Sequence, residues 1–234
     1  MEQYETEHYI FNYNKNSKAE KDIIEIAKYQ ESCLKYICNV LRMYPDFKIE
    51  YYLCNTPEEV GQIYGDNEPC NGFADLPNRI FAVYNDEVQC IGFHEDAHVI
   101  SYLINRPNSC AIREGLAMYF DRKWWGIQNI DWVGYFIRND KIIPIDELLD
   151  NEVFFANDCS ITYPIMGAFT DWLIANYGMN KYLDLYKYED TKKAILIVYE
   201  KSAEELNQAF IDYVKLFETD TVLKQRMESL MTVR

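Results

Sequence analysis

The chain has 234 residues, 49% of them hydrophobic and 26% charged, which is the composition of a globular protein with a substantial core and excludes a disordered or fibrous one. Its formal net charge of −15 repels phosphate backbones and anionic lipid surfaces, so neither nucleic acid nor a membrane is expected as a partner. Apolar runs are too short to span a bilayer, and residues 1–13 lack the basic start and apolar middle of a signal peptide, which points to the cytoplasm unless a targeting segment has been removed.

Residues 8–13 read as a short strand rich in aromatic and β-branched side chains. Ser17 and Glu20 have capping-box spacing. Beyond them Ile23, Ile26, Ala27, Leu34, Ile37 and Leu41 recur at helical intervals, which predicts an amphipathic helix of about six turns ending before Pro45. Phe47, Ile49, Tyr51 and Leu53 alternate as a strand does. Thr56 followed by Pro57 opens a second helix, and residues 79–84 form another strand. The first 86 residues are therefore expected to make a small α/β lobe.

From Glu87 onward the pattern is helical. One helix is predicted over residues 88–104, and another starts at Asn108 or Ser109 and carries Glu114. A long connection with Trp124, Trp125 and Trp132 follows, then a helix from Thr162 that stops at Gly178. Ser202 and Glu205 repeat the capping-box signal before a last pair of helices. No linker rich in Pro, Gly or Ser separates these parts. Residues 1–234 thus read as one catalytic domain, with an α/β lobe over 1–86 and a helical lobe over 87–234. The seven cysteines are scattered and include no Cys-x-x-Cys pair, so they read as reduced thiols, not as a disulfide framework or a cysteine zinc site.

The chemistry is concentrated in Gly92-Phe93-His94-Glu95-Asp96-Ala97-His98. His94 and His98 are four residues apart and share one face of a helix, which lets two imidazoles bind one Zn²⁺. Glu95 lies beside the metal without having to ligate it, and can deprotonate a zinc-bound water as general base. The chain has only 3 histidines; with so few, chance places this pattern in about three chains per thousand. A catalytic zinc needs a third protein ligand and one open position. Ser101 and Ile104 occupy the places of the metzincin glycine and third histidine, so that extension is absent. His8 is the only other histidine and is remote, which leaves a carboxylate or a cysteine. Glu114 is the nearest candidate, at the start of a helix whose other face is apolar.

His-Glu-x-x-His followed by Glu114-Gly115-Leu116-Ala117 on the next helix resembles the gluzincin branch of the zinc metallopeptidases, the peptidase MA-like group. Tyr163-Pro164-Ile165-Met166-Gly167-Ala168-Phe169 is similar to the helix that closes the active site in several such families. The spacing from His98 to Glu114 is shorter than in the best-known members, and Asp96 stands where an apolar residue is common in that group, which implies a histidine helix more exposed than usual. The resemblance implies an α+β, zincin-like fold with a small twisted sheet lobe, a helical C-terminal lobe and the active-site helix between them. It implies hydrolysis of a peptide bond in a peptide or protein substrate held extended along a sheet edge. The oxyanion donor would be Tyr163, with Tyr119 and Arg113 as rivals. Two other outcomes stay open: a catalytically silent zinc module of the same fold, and a metal-free interaction protein whose histidines are structural. Nothing in the pattern marks an oligomeric state.

Overall fold

A computed structural model describes residues 1–218 and 220–232. The fold is mixed α+β and divides into two compact units, residues 1–104 and 105–234.

The first unit holds β1 (Glu2–Glu5), β2 (Tyr9–Tyr13), α1 (Lys18–Leu41), β3 (Ile49–Cys54), α2 (Pro57–Tyr64), β4 (Gly72–Asp75), β5 (Arg79–Val83) and α3 (His94–Ser101). Its five strands form one sheet in the order β1-β2-β3-β5-β4. The three central strands are parallel, while β1 and β4 run antiparallel at the two edges. Parallel neighbours need crossovers, and α1 and α2 lie in those connections. One sheet face buries Tyr9, Phe11, Ile49, Tyr51, Leu53, Ile80 and Ala82, with Tyr9, Phe11 and Tyr51 in mutual ring contact at 5.0–6.2 Å. The other face packs Cys54, Phe81 and Val83 with Val60 of α2.

The predicted starts of α1 and α2 are found as expected. Ser17 accepts a hydrogen bond from the Glu20 amide at 3.1 Å, and Thr56 accepts one from Glu59 at 3.2 Å. The helix expected over 88–104 is shorter than its apolar pattern implied, and begins only at His94. Gln89 instead bridges back to Tyr84, and Gly92 takes φ 129°, a conformation no helix contains. Strands β1 and β4 were not expected.

The second unit holds α4 (Cys110–Asp121), β6 (Lys123–Trp124), β7 (Ile127–Gln128), α5 (Asn129–Arg138), α6 (Ile145–Leu148), α7 (Asn151–Ala156), α8 (Cys159–Tyr177), α9 (Met179–Tyr186), α10 (Thr191–Tyr199), α11 (Ala203–Val214) and α12 (Thr221–Thr232). Its centre is the pairing of α4 with α8. A Cβ on Gly115 would stand 2.6 Å from Thr170 Oγ1, and one on Gly167 would stand 2.6 Å from Met118 Cβ. Both glycines are therefore what lets the two helices approach so closely. The expected long connection is a two-stranded hairpin and a helix: Trp132 sits fully buried in α5 and donates from its indole N–H to the Trp124 carbonyl at 2.9 Å. The capping box at Ser202 and Glu205 is present in full. No described helix is long and apolar enough to cross a membrane.

Candidate metal centre

Helix α3 is short because the turn that feeds it and the residues that end it are both specified locally. Gly92 supplies the positive φ at its start. After Ser101 the chain tightens, with Leu103 and Ile104 donating to carbonyls three residues back. His98 and Glu95 are buried and His94 is half-buried. The two imidazoles face one another with ring centroids 5.1 Å apart and planes at 79°.

Glu95 lies against edge strand β4. A Cβ added to Gly72 would stand 3.3 Å from Glu95 Oε1 and 3.3 Å from Cys90 Sγ. The Val83 amide donates to Asn71 at 2.8 Å, so Asn71 faces β5. By strand alternation, Gly72 and Ala74 turn their amides and carbonyls to the outer edge, where no further strand of the sheet lies. The Gly72 carbonyl accepts from Cys70 Sγ at 3.2 Å, and this outer edge of β4 runs beside the Glu95 carboxylate.

Asp96 was expected to leave α3 exposed, and the structure corrects this: the residue is fully buried. Its Oδ2 accepts hydrogen bonds from the Tyr9 hydroxyl and, at 3.1 Å, from Gln30 Nε2. Burial is the largest influence on its carboxyl. Together with the charges of Glu95 and Glu31, it outweighs the Tyr9 hydrogen bond and holds Asp96 well above the usual carboxylate range. A polar side chain at this position is buried here because it has partners from α1 and β2.

In the second unit, Glu114 is half-buried on α4, beside the close-packing Gly115. Among the described residues, His94, His98 and Glu114 each offer a ligand atom, and these atoms all lie within 4.8 Å of one another. Donors on a tetrahedral zinc with bonds of about 2.0–2.1 Å are about 3.4 Å apart. Two imidazoles and a carboxylate are the donor types of a catalytic zinc site. A second such group is Glu7, His8 and Glu31. There the His8 ring and amide and the Thr6 hydroxyl all bond to Glu31, at 2.7–2.9 Å, which pins the β1–β2 turn to α1. Those bonds hold the Glu31 carboxyl below its ordinary range although burial, the largest single influence, pushes it up.

Of the expected oxyanion donors, Tyr163 packs between Phe154, at 5.9 Å, and Trp124, at 5.7 Å between ring centroids. Tyr119 lies under the Arg122 guanidinium at 4.4 Å. Arg113 donates to the Pro107 and Asn108 carbonyls and to Cys110 Sγ, at 2.6–3.2 Å. Tyr102 was missed. Its ring stacks on His98 at 5.6 Å, and its hydroxyl lies 3.4 Å from His98 Nδ1, the ring nitrogen whose proton decides which nitrogen is free to ligate. The spacing of four from His98 was its available signal. No family model matches the chain, and no curated protein or solved structure matches it.

Proposed function

We propose that this protein is a zinc-dependent hydrolase of peptide bonds, with His94, His98 and Glu114 as metal ligands and Glu95 as general base. The observation that carries this reading is the convergence of two imidazoles and one carboxylate, with the buried Glu95 next to His94 on the same helix. When bound, zinc supplies a Lewis acid that polarises the scissile carbonyl and acidifies a coordinated water. The Glu95 carboxylate receives that proton and delivers it to the leaving amine. The Gly72 amide and the Ala74 amide and carbonyl are assigned to an extended substrate segment, which pairs as an added strand along β4. That pairing reads the backbone of a peptide and explains why a peptide bond, not another carbonyl, meets Glu95. Tyr163 is assigned to donate to the developing oxyanion. Arg113 is set aside for that role because its guanidinium is committed to the connector carbonyls.

The test is metal analysis of the purified chain together with a peptide-library digest of the wild type and of Glu95→Gln. One zinc per chain is expected. Glu95→Gln should keep the zinc and lose about 10²- to 10⁴-fold in kcat, and His94→Ala should lose the metal. A chain without stoichiometric zinc refutes the metal centre. A zinc-loaded chain on which Glu95→Gln has no effect refutes the hydrolase and leaves a zinc-binding module.

A further inference from the structure

Three side chains distant in sequence meet on the back of α3. Tyr9 comes from β2 and Gln30 from α1; with Asp96 they are all fully buried. Gln30 grips Gly92 with both ends of its amide: Oε1 accepts from the Gly92 amide at 2.6 Å, and Nε2 donates to the Gly92 carbonyl at 3.1 Å. The same Nε2 donates to Asp96 Oδ2, and the Tyr9 hydroxyl donates to that oxygen too. The clamped residues flank His94: Gly92 is two positions before it, and Asp96 lies midway between His94 and His98. At 100° per residue, Asp96 points about 200° away from both imidazoles. The network therefore holds the rear of the helix whose front carries them.

We infer that Gln30 and Tyr9 are positioning residues for the metal ligands, fixing the rotation and height of α3 through Gly92 and Asp96. The inference rests on the proposed metal centre. Apolar burial selects which face of the helix turns inward, and hydrogen bonds, being directional, set its rotation more finely. Imidazole nitrogens stand about 6 Å from the helix axis, so a rotation of about 10° moves them about 1 Å. A zinc site tolerates about 0.2 Å in its bond lengths. The buried Ala97, Val99 and Ile100 seat this eight-residue helix, and the bonds to Gly92 and Asp96 add the directional restraint.

A purely architectural network can be told from a positioning one by replacing its Tyr9–Asp96 contact with apolar groups. In Tyr9→Phe/Asp96→Leu both side chains become apolar at similar size while Gln30 keeps its two bonds to Gly92, which leaves no buried group newly orphaned and keeps stability near that of the wild type. The readouts are the zinc Kd by chelator competition, the visible absorption of the Co²⁺-substituted chain, and the urea midpoint of the metal-free chain. The expected result is a Kd weaker by about 10- to 100-fold, as when partners behind metal ligands are removed, with an altered Co²⁺ spectrum and an unchanged urea midpoint. A wild-type Kd and spectrum in the double variant overturn the inference. If the double variant does not fold, Tyr9→Phe alone decides: it keeps the ring packing, and an unchanged Kd and Co²⁺ spectrum overturn the inference equally. Absence of zinc binding by the wild type would overturn the metal centre itself, a different outcome from either.

Discussion

Replacing Gly72 with alanine tests whether Glu95 does the chemistry, because the substitution reaches the carboxylate without touching it. The added Cβ would meet Glu95 Oε1, Cys90 Sγ and the Phe81 carbonyl, each at 3.3 Å. Ordinary contacts begin a few tenths of an ångström farther out, and the Phe81 carbonyl is fixed by sheet pairing, so the Glu95 side chain is what gives. Glycine within a strand is unfavourable by about 0.5–1 kcal/mol relative to alanine, and tight packing costs about 1 kcal/mol or a little more. These terms nearly cancel, so the urea midpoint should move little. Activity should not be spared. If about 1 Å of misplacement costs about 10²-fold, a shift of about 0.3 Å costs about fourfold in kcat. The assay is kcat and KM on a cleaved peptide, with zinc content measured in parallel. Unchanged kcat at full zinc loading would show that the Glu95 carboxylate needs no particular position, and the assignment of Glu95 as general base would fall.

Gly92 sits at φ 129°, a region that side chains rarely enter; Gly92→Ala should destabilise the chain by about 1–3 kcal/mol in urea melts. Burial raises the Asp96 carboxyl well above its usual range, so the native state favours the protonated form. Its contribution to stability is complete below about pH 4, where the carboxyl of the unfolded chain ionises, and is lost as pH rises toward the higher folded-state value. With chelator present, Asp96→Asn should therefore gain stability relative to wild type between pH 5 and pH 8, and a constant difference across that range would contradict the buried neutral acid. Zinc at a hundredfold excess over its Kd should raise the unfolding free energy by about 2.7 kcal/mol. His94→Ala should show no such rise in a thermal melt.

Elements built from local rules were legible from the residues alone. Ser17, Thr56 and Ser202 cap the helices they were expected to cap, because a cap is settled within about three residues. The alternation in Ile49, Tyr51 and Leu53 is a strand with those three side chains buried. The spacing of His94 and His98, and the helix carrying Glu114, were equally readable, since both follow from helical periodicity.

What tertiary structure decided is whatever depends on partners far along the chain. The apolar run after Glu87 looks helical, yet its first part pairs back onto Tyr84 and turns at Gly92. Strand β4 has four residues and two of the smallest side chains, so it carries no pattern of its own and exists because β5 is there to pair with it. Asp96 read as a mark of exposure because a carboxylate is costly to bury. It is buried because Tyr9, 87 residues away, and Gln30, 66 residues away, meet it with donors. Periodicity and capping are properties of a few neighbouring residues, and a sequence displays them directly. The environment of a side chain is set by contacts between distant segments, and these come into being only when the chain folds.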